Sequence, residues 1–479
     1  MSRIDIDYVL APHPYARKLL ERLSRAGYRS VIVGGTVRDA LLGQIEEDYE
    51  FDPKTTDIDI ATAARTDKIK ELFPEHEFLE VGEGFGVLVL VAPDGNEYEI
   101  AQFRTESDYD GRKPGEVRPT DSLEEDIKRR DFTVNGLAVE LDGEVIDLVD
   151  GVADLRDKVI RAIGDPLTRF REDYLRPLRA VRIACYLGGE IDRPTVSAIE
   201  EVAGEITTIS NERIREELFR ILKTARSGRG FRICHSTGLL DHVLPEMTEN
   251  EGIPQPEEYH PEGDVLEHSF QALEVADRLE LSPLTKFAVF LHDVGKAEAY
   301  YGNEKRHMGG HALMGKRKTK RIASRLKLSN RKAKKLTWLV ENHMRGSVLP
   351  KMRKAKQVKL VRTNQDTDHS IAEETARFDY FTSLLGTIVA DSEASSHGVE
   401  GWLPVFQVFS RLLPHLQHLE NLGTARRLIN GDDLIELGME EGPELGDVLE
   451  SLHEMIYAGE IETRDEALRE ADEMVKERG

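Results

Sequence analysis

Cysteine is almost missing. The chain has two, Cys185 and Cys234, in 479 residues. That excludes a disulfide framework and fits a reducing cytoplasm, and both thiols read as core filler. No run approaches the roughly 20 apolar residues of a membrane span. The opening Met1-Ser-Arg-Ile-Asp-Ile-Asp carries acids and no long apolar stretch, so no signal peptide is expected. Basic charge is also scarce, with 65 Lys and Arg against 89 Asp and Glu, a net charge of −24. Taken alone, that balance argues against a nucleic-acid partner. Its distribution softens the argument. The tail beyond Gly431 is acidic, whereas Lys316-Arg-Lys-Thr-Lys-Arg321 through Lys334-Lys335 contains no acid and can meet a polyanion locally.

The length requires several domains, and 39% hydrophobic with 32% charged residues is ordinary for a water-exposed helical protein. Leu19, Leu20 and Leu23 mark an amphipathic helix over 14–26. Another helix is expected around Lys68–Phe73, and glycines 82, 84 and 86 punctuate the chain after it. Gly86–Val91 and Glu97–Arg104 read as a hairpin turning at Asp94-Gly95. Thr105–Asp121 lacks periodicity and reads as a mobile loop. An apolar strand follows at Leu137–Leu141. From Asp165 onward the pattern is helical, with a Pro-rich linker at Pro245–Pro261, a histidine-rich region ending near His397, and an acidic helical tail. The fold class is therefore α+β, a small head with a mixed sheet followed by a long all-α body.

The chain is organised around Ser30-Val-Ile-Val-Gly-Gly-Thr-Val-Arg-Asp39 and Thr56-Asp-Ile-Asp-Ile60. Val31, Ile32 and Val33 form a buried strand. Gly34 and Gly35 let the backbone turn and approach a ligand, and the helix that follows points free N–H groups at an anion. Arg38 in its first turn does nothing for the helix dipole, so a second anion-binding role is expected of it. Asp57 and Asp59 share one face of a strand. Two adjacent carboxylates repel unless a cation joins them, and oxygen ligation suits Mg²⁺ bridging to phosphate. Glu97 and Glu99 also share a strand face, and Glu99 is the choice for a third carboxylate.

Arg171-Glu-Asp-Tyr-Leu-Arg-Pro-Leu-Arg-Ala-Val-Arg182 reads as one helix, with Asp173, Arg176, Arg179 and Arg182 on a common face. Arg offers only donors and Asp only acceptors. Together they match the edges of cytosine and adenine and leave groups unpaired against guanine or uracil, at about 1–3 kcal/mol each. Arg179 and Arg182 are expected to face a triphosphate or to hold Asp173. A third cluster gathers Glu267-His268, His292-Asp293, His311, His343 and Asp391, the ligand set of a divalent transition metal. His307 and His397 read as surface residues.

Val33-Gly-Gly-Thr-Val-Arg-Asp39, Asp57-Ile-Asp59, Arg129-Arg-Asp-Phe-Thr-Val-Asn135 and Glu172-Asp-x-x-Arg176 together resemble the bacterial class II tRNA nucleotidyltransferase (CCA-adding) and poly(A) polymerase family, with a polymerase-β-like head. Asn430-Gly-Asp-Asp-Leu434 through Gly442-Pro-x-Leu-Gly446 resembles the C-terminal part of such enzymes, and the middle resembles an HD phosphohydrolase domain. The resemblance implies residues 1–145 as catalytic head, 146–205 as a neck that recognises the base, 206–258 as an RNA-binding body, 259–400 as the HD domain and 401–479 as a tail. It implies Asp57, Asp59 and Glu99 as Mg²⁺ ligands. Gly34, Gly35, Arg38 and Arg130 would meet the triphosphate, Asp131 the ribose, and Asp173 with Arg176 the base. His268, His292, Asp293 and Asp391 would hold the HD metal, with His311 and His343 lining it. The implied activity is addition of C, C and A from CTP and ATP to the tRNA 3′ end, with a phosphohydrolase activity beside it. Tyr174, where proline is common, and the long insert Gly43–Thr56 depart from the pattern. The loop Thr105–Asp121 resembles the segment the family uses in adding the terminal A. Competing readings are an A-only enzyme, a metal-dependent phosphohydrolase with a nucleotide- or RNA-binding head, and a non-catalytic RNA scaffold.

Overall fold

The computed structural model describes residues 3–80, 86–111, 114–302, 304–362, 378–421 and 428–476. Gly82 and Gly84 lie outside the described residues. Two compact units divide at Pro245/Glu246.

The first unit is built on seven short strands. Those strands are β1 (Ser30–Val33), β2 (Asp59–Thr62), β3 (Phe78–Glu80), β4 (Val87–Val91), β5 (Glu97–Gln102), β8 (Leu137–Val139) and β9 (Val145–Asp147). They lie in the order β3-β4-β5-β2-β1-β8-β9. All neighbours are antiparallel except β2 and β5, whose parallel register sets Asp59 beside Glu99. In β5, Tyr98 and Ile100 are buried while Glu97 and Glu99 face out, as strand alternation requires. Val31, Val33, Ala61, Phe103 and Ile127 form part of the core under the sheet. The expected hairpin at 86–104 is therefore present as β4 and β5.

Thr105–Asp121 is not an aperiodic loop. It begins and ends as a ribbon, β6 (Arg104–Ser107) paired antiparallel with β7 (Glu116–Pro119). Apart from Val117 and Pro119 its side chains are polar, and none is fully buried, so no sustained hydrophobic alternation announced it.

The helix expected across 171–182 is also interrupted. One helix runs Pro166–Glu172 and the next Arg176–Leu187, with Asp173 extended between them at φ −148° and ψ 108°. Pro177 explains the break. A continuous helix would set its ring against the Asp173 carbonyl four residues back, with no N–H to offer it.

The second unit is helical. Phe287–Leu291 is fully buried within the helix Pro283–Leu291. Pro245–Pro261 is not a free linker. Met247, Asn250 and Ile253 are buried, and Asn250 Oδ1 accepts the Ala297 N–H at 2.9 Å. The basic run lies on the helices His311–Arg325 and Asn330–Ser347. Five of its cations, Lys316, Arg317, Lys318, Arg325 and Lys335, are already ion-paired with acids outside the run. No helix among the described residues is long and apolar enough to cross a membrane.

Gly295 lets two helices meet closely. A Cβ there would stand 2.2 Å from the His311 carbonyl and 2.5 Å from the Gly315 nitrogen. Gly295→Ala must displace the helix that begins at His311, at a cost of about 1–3 kcal/mol. Denaturant unfolding should show an earlier transition for the second unit and an unchanged one for the first.

Candidate active site and candidate metal centre

A cleft of about 550 Å³ opens in the first unit. Seven arginines (38, 104, 129, 130, 176, 179 and 182) and four carboxylates (Asp59, Glu106, Asp131 and Asp173) line it. A second space of about 410 Å³ shares Asp59 and Arg130 with it and reaches Glu99. The excess of guanidinium groups suits a polyphosphate.

Asp59 is the first residue of β2. Asp57 precedes the strand, so the two carboxylates are not i and i+2 of one ladder as expected. The Asp57 carbonyl instead accepts from Thr36 Oγ1 at 2.5 Å. The carboxylates still act on one another. Burial, then Glu99, push Asp59 up to about 6, with Asp57 adding to the rise and Arg130 opposing it. Three mutually repelling carboxylates make a donor set that favours a bound divalent cation.

Gly34 turns at φ 79°, and a Cβ there would lie 3.8 Å from Asp59 Oδ2 and 4.0 Å from Arg130 Nη1. Bare backbone thus borders both the carboxylates and the cationic wall. The Gly34 N–H is already given to the Leu137 carbonyl at 3.2 Å. The helix opens at Gly35, and the amides of Gly35, Thr36 and Val37 begin it without intrahelical acceptors. Arg38, expected to meet an anion, lines the cleft and has partners of its own. It is buried, donates to Asp39 at 2.8 and 3.0 Å and to Asn135 at 2.7 Å, and covers the Tyr186 ring at 4.9 Å.

The remaining arginines are set in a lattice. Asp126, 1% exposed, accepts from Arg129 at 2.7 Å and from Arg130 at 3.1 Å. Glu106 accepts from Arg104 at 2.6 Å and from Arg129 at 3.1 Å. The Arg130 Nε is buried without a partner, a donor held in reserve beside the cleft. Asp131 accepts from Arg179 Nε at 2.8 Å and also from Nη2. Burial alone would raise Asp131, but Arg179 and Arg176 outweigh it and hold the carboxyl well below the usual range.

Asp173 and Arg176 do not pair with each other. Asp173 accepts from the Leu175 N–H at 3.1 Å and from Arg213 at 2.8 Å. Arg176 is turned to Glu172, to the Arg169 carbonyl at 2.8 Å and to the Arg129 carbonyl at 3.2 Å. Arg182 donates to Glu217 at 2.8 Å and so does not hold Asp173. The helix Asn211–Lys223 supplies both Arg213 and Glu217. Sequence reasoning missed them, although four-residue spacing puts them on one helix face. The Tyr174 N–H donates to the Gly111 carbonyl at 2.9 Å, so the ribbon that carries Glu106 is fastened at the helix break. A proline in place of Tyr174 would have no N–H for this bond.

In the second unit the rings converge. His292, His311 and His343 give Nδ1–H to the carbonyls of Val289, Met308 and Val340 at 2.6, 2.9 and 2.7 Å. A carbonyl only accepts, so in each neutral ring the lone pair lies on Nε2. His268 Nδ1 faces Glu262 at 2.6 Å, and Glu262 also meets His260 at 2.8 Å. The freed Nε2 atoms form two groups, His268–His292–Asp391 and Asp293–His311–His343. His268 Nε2 lies 3.0 Å from Asp391 Oδ1. His311 Nε2 lies 3.3 Å from Asp293 Oδ1 and 3.1 Å from His343 Nε2. Two imidazole lone pairs at that distance call for a cation between them. His292 Nε2 is 3.1 Å from Asp293 Oδ2 without hydrogen-bond geometry, a buried nitrogen with no partner. Burial alone would lower His292, but Asp293 and Asp391 push it up to about 10. Burial, then His292 and His311, push His343 down to about 3, which keeps it a neutral ligand. His311 and His343, expected only to line the site, therefore stand as donors in their own right. Lys296, whose ammonium meets Asp293 at 2.6 Å, and Glu262 were not singled out in the sequence. His307 and His397 are exposed, as expected.

Three family models match the chain. Residues 30–161 match the poly A polymerase head domain, 189–250 the probable RNA and SrmB-binding site of polymerase A, and 265–374 the HD domain. Both the head and the HD domain imply the use of divalent metal. The CCA-adding enzyme of Levilactobacillus brevis is 43% identical over 225 residues, 47% of this chain and 54% of that one. The CCA-adding enzyme of Bacillus pumilus is 40% identical over 233 residues, 48% of this chain and 55% of that one. The chain thus spans about half the length of these relatives. In fold, it resembles the Bacillus stearothermophilus CCA-adding enzyme solved with CTP, at TM-score 0.67 and 24% identity, covering 98% of each chain. It also resembles the Thermotoga maritima CCA-adding enzyme solved with tRNA, at TM-score 0.60 and 19% identity, covering 99% of this chain and 100% of that one. The architecture is a nucleotidyltransferase head with a mixed sheet followed by a helical body with an HD domain, and over about half its length the chain is similar in sequence to CCA-adding enzymes.

Proposed function

We propose that the first unit adds C, C and A to the 3′ end of tRNA from CTP and ATP, with no nucleic-acid template. The observation that carries the reading is the position of Asp59, which lines both the arginine cleft and the space that reaches Glu99. One side holds a triphosphate and the other a carboxylate set. The names of the relatives and the CTP- and tRNA-bound neighbours support the choice of substrates. A tRNA substrate and a reduced cysteine pair would place the protein in the cytoplasm.

In this reading Asp57, Asp59 and Glu99 hold Mg²⁺, which when bound activates the attacking 3′-hydroxyl and offsets charge on the triphosphate. Gly34 and Gly35 leave room for the phosphates, and the opening amides of the helix Gly35–Ile45 face them. Arg130 has its spare Nε–H for a phosphate oxygen, and Arg38 braces the same wall. Asp131 is committed to Arg179, so its contribution to ribose binding passes through that pair. Asp173 and Arg176 read the base once Arg176 leaves Glu172, while Arg179 and Arg182 keep the surrounding wall cationic. The 3′-hydroxyl attacks the α-phosphorus, a new P–O bond forms, and pyrophosphate departs. The domain bounds given above are proposed with this reading.

A second reading applies to the other unit, because the Nε2 atoms of His268, His292, His311 and His343 gather there with Asp293 and Asp391. There, we infer a phosphohydrolase centre in which His268, His292 and Asp391 would hold one transition-metal ion and Asp293, His311 and His343 a second, either of which would supply an activated water for a phosphoester.

With tRNA ending before, within and after its CCA, each nucleotide supplied alone should give C, C, then A, and then a halt. Unlimited A on any RNA would instead identify an A-only enzyme. Asp59→Ala should lower incorporation by at least about a thousandfold, the scale of losing a principal electrostatic group, and leave phosphoester hydrolysis intact; His292→Ala should do the reverse. Arg213→Ala frees Asp173 to turn, and the kcat/KM preference for C and A over G and U should fall roughly five- to 150-fold, equivalent to about 1–3 kcal/mol. Elemental analysis of the purified chain should find two transition-metal ions. Asp391→Ala, Asp293→Ala or the pair His311→Ala/His343→Ala should each retain one.

A further inference from the structure

Tyr259 and His397 are both exposed, yet their rings are stacked, with centroids 5.4 Å apart and planes 15° from parallel. Each ring covers one face of the other, so the exposure of the pair falls on its outer faces and edges. The stack is fixed by its neighbours. The Ser396 N–H donates to the Tyr259 carbonyl at 3.0 Å, and the Ser396 hydroxyl to the Glu258 carbonyl at 2.8 Å. Ser395 gives its hydroxyl to the Ser392 carbonyl at 3.1 Å and meets His397 Nδ1 at 3.0 Å. A hydroxyl has one proton, so toward the ring it accepts, and that bond sets the ring's tilt. Pro254, Pro256 and Pro261 stiffen the segment that carries Tyr259.

The position of the stack gives it a use. His397 follows the helix Asp379–Glu393, which carries Asp391. Next to Tyr259 is His260, whose ring lies 6.5 Å from His397 and 4.8 Å from His268. Glu262 joins His260 and His268 through a single oxygen. One imidazole therefore separates the stack from a donor of the histidine centre. The ribose of a nucleotide fills such a gap between its base and its phosphate. An activated water attacks whatever phosphoester is presented to it, so selection must come from what the rest of the substrate touches. Every base has a flat face for an aromatic platform, whatever its hydrogen-bonding edge. Resting on the phosphohydrolase reading of this unit, we propose that the Tyr259–His397 stack receives the nucleobase of the substrate, on a free nucleotide or at an RNA end. The histidine centre then selects nucleotides without choosing among the four bases. It accepts guanine and uracil, which the arginine cleft is proposed to refuse.

Uridine is the first probe, because it has no phosphate for the arginine cleft and the wrong edge for Asp173 and Arg176. Its binding to the full chain is followed by saturation-transfer NMR on the base protons. Tyr259→Ala and His397→Ala should each weaken it roughly five- to 150-fold. Tyr259→Phe and His397→Trp keep a flat ring and should keep the binding. In hydrolysis, with Mn²⁺ supplied, the kcat/KM preference for uridine monophosphate over ribose phosphate of the same linkage should fall by the same factor in the alanine variants, through KM. A short single-stranded uridine oligomer that displaces uridine supports the platform and assigns the base to an RNA end; one that does not assigns it to a free nucleotide. Uridine binding indifferent to both alanine variants overturns the proposal, even where hydrolysis is found. So does an unchanged preference. Binding that depends on the stack, with no phosphoester hydrolysed, upholds the platform and defeats the hydrolase reading instead.

Discussion

Asp131 is a buried carboxylate that accepts from both Nε and Nη2 of Arg179, and the head is assembled around that pair. Asp131 follows the short helix that carries Asp126 and stands just ahead of β8. Arg179 sits one turn into the helix Arg176–Leu187. The bond therefore ties the sheet to the helix that borders the arginine-lined cleft. Burying either group alone would cost several kcal/mol, so neither is free to leave. The same logic recurs at Asp126 with Arg129 and Arg130, and at Glu217 with Arg182. A wall this rich in guanidinium groups is stable because a carboxylate stands behind most of it.

The sequence disclosed the parts governed by local rules. The glycine turn, the strand before it, the hairpin at 86–104 and the histidine cluster all follow from periodicity, turn chemistry and residue type. It disclosed less where one residue vetoes a pattern. Asp173 and Arg176 have helical spacing, but Pro177 forbids the helix that would make the spacing meaningful. Asp57 and Asp59 have strand spacing, but the Thr36 hydroxyl caps the Asp57 carbonyl before the ladder begins. Arg213 lay beyond reach for another reason. Its contact with Asp173 crosses forty residues, and nothing in either segment names the other. The ribbon at 104–119 escaped because Val117 and Pro119 are its only apolar side chains, too few to show an alternation.

In the histidine pocket the informative atoms are those facing away from it. Three backbone carbonyls and the Glu262 carboxylate fix the orientation of four rings, and that fixed orientation is what gathers the nitrogen lone pairs. The resemblance to an HD domain suggested one metal with His311 and His343 only lining it. The backbone carbonyls behind His311 and His343 turn the bystanders into donors, and no sequence pattern carries that information.

The division at Pro245 has an evolutionary consequence. Every residue assigned to nucleotide transfer lies before it, and every residue of the histidine pocket lies after it. Neither centre borrows a side chain from the other. A lineage could lose one capability by drift, or retune it for a new diet of substrates, while inheriting the other intact.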